Sequence, residues 1–316
     1  MNKFFQNIII ILSLVVFIFF FDNKPTYCDT LKFVQLSDVH YTTTRDNTSY
    51  KLLASSKPLL EDAINQINCL NGLDFVMITG DLIDNPNEPA LRDSVSIVNK
   101  LRYPWYFAFG NHDTTTSGNL TKKRFVEVLR ETNKCYKFEN AFYSFEPKRC
   151  YRVIVLDGAK NRGISSNGRI TEEQLKFLDN ELKAAKNKKE VALIFLHFPL
   201  EEPFPSTHHR IINASEMQAV IDKYHFPIAI FTGHYHTTKI IRKDNVLHVS
   251  SPSLASYPNA FRLITVRSDR NKVTFTFKYM ETSLKDLQTK ARIMTLGSSS
   301  YYGEETDRDT TVTIDK

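Results

Sequence analysis

The sequence predicts an α/β fold, and three observations carry that prediction. Short apolar runs of strand length alternate with longer segments of helical spacing through the first two-thirds of the chain. The strand runs are apolar at nearly every position, as strands buried on both faces are. The last quarter, from Lys239 on, changes to short strands with no helix between them.

Leu31 to Ser37 reads as the first buried strand. Lys51 to Leu70 follows with helical spacing, Leu52, Leu53, Leu59, Leu60, Ala63, Ile64 and Ile67 recurring at intervals of three and four. Asp74 to Thr79 is a second strand, Glu88 to Leu101 a second helix and Trp105 to Phe109 a third strand. Strand, helix, strand, helix, strand argues for parallel pairing. Thr121 to Arg130 is helical, and two short strands follow near Cys135 to Phe138 and Phe142 to Phe145. Tyr151 to Leu156 is buried strand. Thr171 with Gln174 three residues on is a capping-box start, and Leu175, Leu178 and Leu182 form the inner face of that helix. Val191 to Leu196 and Ile228 to Thr232 are strands separated by a Pro-rich loop and the helix Ser215 to Lys223. Lys239 to Arg242, Val246 to Ser250, Phe261 to Val266 and Val273 to Tyr279 then read as a meander closing a second sheet. Past Glu281 the chain turns polar, and residues 282–316, Gly297 to Asp309 above all, read as a loose tail.

The 316 residues carry 42% hydrophobic and 24% charged side chains, enough for a sizeable core and too ordered a composition for intrinsic disorder. A net charge of +6 is mild at this length. The densest basic cluster, Lys183 to Lys189, ends a predicted helix, where cations suit the dipole. No nucleic-acid partner is expected from it, although the excess helps attract an anionic substrate. Lys3 followed by an apolar run from Ile8 to Phe21 reads as a signal peptide over residues 1–28, or as an anchor if it stays uncut. The run is short of the roughly 20 residues that span a bilayer comfortably. The protein is therefore expected to be secreted or otherwise extracytoplasmic, touching a membrane only through that segment. Nothing in the sequence sets the oligomeric state.

Export would permit disulfides. Of Cys28, Cys69, Cys135 and Cys150, the pair Cys135 and Cys150 flanks two short strands and is the candidate bridge; Cys69 reads as a buried free thiol. No C-x-x-C pair offers a thiolate zinc site. Sequons stand at Asn47, Asn119 and Asn213.

The chemistry lies at the strand ends. Asp38-Val39-His40 follows the first strand, Gly80-Asp81-Leu82-Ile83-Asp84 the second and Gly110-Asn111-His112-Asp113 the third. His197 follows the strand from Val191, and Gly233-His234-Tyr235-His236 the strand from Ile228. In α/β sheets, ligands bind outside the carboxyl ends of strands, so these segments should converge on one rim. Carboxylate, imidazole and amide donors without thiolate suit a borderline divalent or trivalent ion such as Mn, Fe or Zn. Asp38, His40, Asp81, Asn111, His197, His234 and His236 are too many for one tetrahedral ion and suit two ions about 3.5–4 Å apart. The D-x-H and H-x-H alternation fits extended backbone, where residues two apart project to one side.

The ordered set D-x-H, G-D-x-x-D, G-N-H-D, a lone H and G-H-x-H resembles the calcineurin-like metallophosphoesterase superfamily, with coverage from about Phe33 to Tyr279 and a domain spanning residues 29–281. Any one block is weak; five in order, each behind a predicted strand, are specific. The resemblance implies a four-layer α/β/β/α sandwich of two mixed sheets flanked by helices. It implies one ion held by Asp38, His40 and His236, a second held by Asn111, His197 and His234, and Asp81 bridging the two. It also implies that His112 faces the substrate phosphate and that Asp84 orients His112. The reaction implied is hydrolysis of phosphate mono- or diesters by a hydroxide activated between the ions.

Asp157-Gly158 onward, with Gly168-x-Ile170 ahead of Gln174 and Leu178, resembles the branch of bacterial cyclic-nucleotide phosphodiesterases, as does Ser251-Pro252-Ser253. Export argues against an intracellular cyclic nucleotide as substrate. A scaffold without turnover would be expected to lack some of these residues, and a nuclease to add a basic groove. Asp113 is open between capping its loop and supporting the site. Asp157 reads as a turn residue, and His208 and His209 as surface loop or active-site mouth.

Overall fold

In a computed structural model, residues 28–114, 120–160 and 165–316 are described. Residues 1–27 of the leader reading and the sequon at Asn119 fall outside them; Cys28, read as the leader's last residue, is described and disulfide-bonded to Cys150, so it belongs to the folded domain and the leader must end before it. Among the described residues no helix is long and apolar enough to cross a membrane. In chain order the elements are β1 (Leu31–Leu36), α1 (Ser56–Asn68), β2 (Phe75–Thr79), α2 (Glu88–Val98), β3 (Trp105–Ala108) and α3 (Lys122–Thr132). Then come β4 (Tyr143–Lys148), β5 (Tyr151–Val155), α4 (Glu172–Lys188), β6 (Val191–Phe195), α5 (Ala214–Ile221), β7 (Ile228–Thr232), β8 (Lys239–Lys243) and β9 (Val246–Ser250). The chain closes with β10 (Ala260–Ser268), β11 (Lys272–Glu281), α6 (Lys285–Met294), α7 (Ser299–Tyr302), α8 (Glu305–Arg308) and β12 (Thr310–Asp315).

Two six-stranded mixed sheets result, ordered β12-β11-β10-β1-β2-β3 and β4-β5-β6-β7-β9-β8. β1, β2 and β3 pair in parallel, as do β5, β6, β7 and β9, while the remaining pairs are antiparallel. Parallel neighbours need a crossover, and helices supply it except between β7 and β9, where β8 does. α1 and α2 link β1, β2 and β3 and pack on one another; α4 links β5 to β6 and packs on both strands. Asn87, Thr121 and Thr171 cap α2, α3 and α4 by accepting the backbone N–H three residues on.

The sheets meet through aromatic rings. Phe33 of β1 lies edge-on to Phe195 of β6 and Phe231 of β7, at 5.6 and 5.3 Å between centroids. It stacks on Phe75 of β2 at 4.9 Å. All four rings are buried, each large enough to hold the sheets in a fixed stagger. The α/β class and the two mixed sheets flanked by helices are as the sequence implies.

Four expectations need correction. Cys150 pairs with Cys28, Cα to Cα 5.7 Å, and Cys135 is free and exposed. Cys150 sits in the β4–β5 turn, and Lys148 beside it donates to the Thr30 carbonyl, so this turn abuts the chain's entry into β1. Cys135 precedes β4, whose first residue, Tyr143, pairs with Val155 at the opposite end of the hairpin. Cys69, just past α1, is free but exposed. Residues 135–138 form no strand. The polar tail is folded: β12 pairs along β11, and Arg262, fully buried, donates to the Asp307 carbonyl at 2.8 Å. The Asp307 carboxylate accepts from the Ile240 amide at 2.9 Å. A ten-residue β11 leaves an edge that would otherwise stand open, and β12 covers it.

At the two described sequons the amides are already engaged. Asn213 is buried and bonds both the N–H and the C=O of Ile170; the Asn47 oxygen accepts from Ala54.

Candidate metal centre

The segments after β1, β2, β3, β6 and β7 converge. Their backbones interlock: Asp38 N–H donates to the Gly80 carbonyl, His40 N–H to Asp81 and Gly233 N–H to His197. Asp38, His40, Asp81, His234 and His236 all adopt left-handed φ, between 46° and 70°. The two-residue spacing thus works through alternating left-handed turns, not the extended backbone inferred from sequence. Non-glycine residues rarely hold this conformation without over-determination by their surroundings. Here the loop-to-loop hydrogen bonds supply it.

Close approach explains two glycines. Gly80, at φ 87°, lies where a Cβ would fall 2.5 Å from His197 Nδ1. A Cβ on Gly233 would fall 1.9 Å from Ser37 Oγ and 2.6 Å from Asp38 Oδ2.

His197 Nδ1 lies 2.8 Å from the Thr79 carbonyl and His234 Nε2 lies 2.7 Å from the Ser166 carbonyl. A carbonyl only accepts, so each of those nitrogens carries the proton. The remaining nitrogens, His197 Nε2 and His234 Nδ1, then present lone pairs to each other at 2.9 Å. Asp81 Oδ2 stands 3.3 Å from His197 Nε2. Two lone pairs and a carboxylate oxygen meeting in the interior repel unless a cation lies among them. The second corner repeats the arrangement. His40 Nδ1 faces Asp84 Oδ1 at 3.2 Å, which leaves Nε2 as the acceptor. That Nε2 is 3.3 Å from His236 Nε2, which is 3.2 Å from Asp38 Oδ1. Both triplets, Asp38/His40/His236 and Asp81/His197/His234, bring their donor atoms within 4.8 Å of one another.

Electrostatics agree. Burial holds the His40 and His234 imidazoles well below 6.5, so both are neutral donors. Burial also opposes charge on His197, but the adjoining Asp81 carboxylate outweighs it and raises the group to about 9, so without an ion a proton on Nε2 takes the cation's place in this corner. Asn111 Oδ1 is buried and accepts no hydrogen bond among the described residues. An orphaned amide oxygen of this kind costs stability unless something binds it. The residues therefore fit a metal centre.

Around the donors, Asp113 supports the loops. Its buried carboxylate accepts from the amides of Asp81 and Gly110 at 2.8 Å and of Ile83 at 3.2 Å, tying the second and third segments together. His112 donates from Nδ1 to the Asp84 backbone carbonyl at 2.8 Å, while the Asp84 carboxylate lies nearer His40 and accepts from Arg45. Asp84 thus meets His112 chiefly through its carbonyl. Asp157 is a turn residue, accepting from Ala159 N–H and pairing with Lys122. The exposed His209 reaches the mouth, its ring 5.1 Å from that of His234.

Sequence reasoning missed two neighbours. Lys51, placed at a helix start from its spacing, precedes α1 and buries its side chain with Nζ 3.4 Å from both His40 Nδ1 and His112 Nε2. Ser256 holds His236 Nδ1 at 2.9 Å. Neither belongs to a motif. An isolated bridge between Lys51 and Ser256 joins their loops, and only tertiary structure reveals it.

Two stacked mixed sheets with buried Asp and His donors along one rim are the framework of a metal-dependent hydrolase. The chain belongs to the calcineurin-like phosphoesterase family, whose model matches residues 31–238, and it is a metal-dependent phosphoric ester hydrolase. It is 25% identical over 249 residues to a manganese-dependent ADP-ribose/CDP-alcohol diphosphatase of Arabidopsis thaliana, covering 64% of this chain and 78% of that protein. It is 29% identical over 188 residues to a probable cyclic nucleotide phosphodiesterase of Fibrobacter succinogenes, covering 58% and 66%. Among solved structures, a dimetal phosphatase from Danio rerio shares the fold, with TM-score 0.61, 17% identity and coverage of 82% of this chain and all of that one.

Proposed function

We propose that this protein is a dinuclear phosphoesterase acting outside the cytoplasm on phosphate diesters and diphosphate esters. The observation that carries the reading is the meeting of His197 Nε2, His234 Nδ1 and Asp81 Oδ2, each a lone-pair donor with its proton held elsewhere or absent. Asp38, His40 and His236 would hold one ion, Asn111, His197 and His234 the other, with Asp81 shared. When bound, the ions supply an activated water and neutralise the phosphoryl oxygens. His112, fixed through Nδ1 on the Asp84 carbonyl, turns Nε2 toward the substrate to stabilise charge or to protonate the leaving oxygen. Manganese is the first ion to try, since the Arabidopsis relative is named for it. The names of the two relatives favour diphosphate and diester substrates. The disulfide between Cys28 and Cys150 supports an oxidising compartment.

The test is metal analysis with turnover. Protein reconstituted with Mn, Fe or Zn should hold two ions per chain and cleave bis(4-nitrophenyl) phosphate or ADP-ribose. Asp81→Asn should lose at least about 10²-fold in kcat while keeping its fold. One ion per chain, or full activity in Asp81→Asn, ends the proposal.

A further inference from the structure

Lys51 is a buried cation with unmet donors at the heart of the site. Its residue is 5% exposed. Among the described residues its ammonium meets His40 Nδ1 and His112 Nε2, each at 3.4 Å, Asp84 Oδ1 at 3.8 Å and the face of the Tyr50 ring at 5.5 Å, which accepts no conventional hydrogen bond. These neighbours satisfy it poorly. His40 Nδ1 faces Asp84 as a donor and cannot accept from an ammonium. Asp84 is already engaged by Arg45 at 2.9 Å and His40 at 3.2 Å. Only His112 Nε2 is left to accept, because its Nδ1 proton is committed to the Asp84 carbonyl. An ammonium has three N–H groups, and burying them without acceptors is costly. His112 is the partly open member of the group, its side chain 31% exposed, so a ligand reaching His112 also reaches Lys51.

We infer that Lys51 is a substrate-contacting residue that binds the leaving group, and that it makes the site favour leaving groups carrying their own negative charge. This rests on the reading that His112 Nε2 faces the scissile ester. An atom within hydrogen-bond reach of that nitrogen lies beside Lys51 Nζ. When the P–O bond breaks, the leaving oxygen keeps the electron pair. A simple alkoxide then needs a proton, which His112 gives only in its doubly protonated form, when Nε2 no longer accepts from Lys51. A leaving phosphate monoester, as from a diphosphate ester, is a stable anion that needs no proton and gains from a fixed cation along its oxygens. Lys51 provides that cation within the chain itself, on the side of His112.

Two substrates and two variants test this. Wild type, Lys51→Met and Lys51→Arg, each checked for metal content and melting temperature, are compared on ADP-ribose, whose leaving group is a phosphate monoester charged before the bond breaks, and on bis(4-nitrophenyl) phosphate, whose nitrophenolate also departs without a proton but carries no phosphoryl charge in the substrate. Lys51→Met should lose about 10- to 100-fold in kcat/KM on ADP-ribose, the scale of a hydrogen bond to a charged group, and under about 5-fold on the nitrophenyl diester. Lys51→Arg should recover most of the loss. Adenosine 5′-monophosphate, as a competitive inhibitor, should weaken by a similar factor in Lys51→Met. Equal losses on both substrates would assign Lys51 to positioning His40 or His112 and overturn the inference, as would no loss or unchanged inhibition. Those results leave the dinuclear reading standing. A metal-loaded wild type that cleaves neither substrate defeats both. If Lys51→Met fails to fold, Lys51→Arg and the inhibitor on wild type decide: no binding of the monophosphate by folded wild type refutes the contact.

Discussion

Gly233→Ala should damage the metal centre from a position that carries no donor side chain. The methyl group would lie 1.9 Å from Ser37 Oγ, 2.6 Å from Asp38 Oδ2 and 3.1 Å from the Thr79 carbonyl. Carbon–oxygen contacts settle near about 3.5 Å, so the strand ends must part by about 1.6 Å, or by about 1 Å if the Ser37 hydroxyl rotates away. Rotation gives up the hydroxyl's bonds to Asp38 Oδ2 and to Thr79. Parting the ends moves Asp38 from His236, because the Asp38 carboxylate also accepts from His234 N–H, one residue from the inserted methyl. Overpacking of this kind costs about 1–3 kcal/mol. A displacement of about 1 Å at a reacting centre costs about 10²-fold in rate. We therefore expect kcat/KM to fall by about two orders of magnitude and metal affinity with it, while the melting temperature falls by only a few degrees. The assay pairs calorimetric titration of Mn into stripped protein with turnover of a nitrophenyl diester. Ser37→Ala in the same chain removes the nearest clash and should recover part of the metal affinity, so the double variant should exceed Gly233→Ala alone. If Gly233→Ala binds metal and turns over like wild type, the rim does not depend on this close approach and the reasoning fails.

Two further predictions concern stability. Thiol titration of the denatured, unreduced protein should find two free thiols, Cys69 and Cys135, and four after reduction, and Cys150→Ser should lose about 2–5 kcal/mol, since the bridge closes a loop of 122 residues; four thiols before reduction would refute the pairing. Burial holds the β9 residue His248 at about 4 against an ordinary 6.5, with the Glu201–Lys243 pair as its charged neighbours. The unfolded chain therefore takes up a proton below 6.5 that the folded chain refuses, so stability is full above about 6.5 and falls toward 4, by about 3 kcal/mol at the limit. Urea denaturation at several pH values should show a flatter acid limb for His248→Gln, and parallel curves for the two proteins would remove His248 from the account.

The site was legible where its chemistry is local. Each donor follows an apolar strand by one or two residues, so the motifs and the strands announce one another. Asp38, His40 and His236 come together, as do Asp81, His197 and His234. The illegible parts depend on surfaces that meet far along the chain. Lys51 carries no motif, and its approach to His112 depends on the bridge to Ser256 some two hundred residues away. The partner of Cys150 is set by where β1 begins relative to the β4–β5 turn, which no cysteine spacing encodes. The Thr-rich β12 is an unremarkable polar segment until β11 offers it an edge, whereupon Ile314 is buried. Asp113 was ambiguous because a carboxylate that gathers three backbone amides has the same sequence signature as one that caps a loop.

The division of donors between sheets bears on how the centre is held. Asp38, His40 and Asp81 follow strands of the first sheet; His197, His234 and His236 follow strands of the second. Each triplet of donors mixes the two origins. A cation in either corner therefore joins the sheets, in addition to the Phe33, Phe195 and Phe231 contact beneath. The aromatic contact helps fix the separation of the layers as part of the buried core beneath the rim. The left-handed turns at Asp38, His40, Asp81, His234 and His236 then aim the donors across that gap. Such turns are unfavourable one by one, and the bonds that impose them, His40 N–H to Asp81 O and Gly233 N–H to His197 O, each tie one segment of the rim to another. The sheets thus set the distance between the donors, the loops set their direction, and a cation would relieve the repulsion among them.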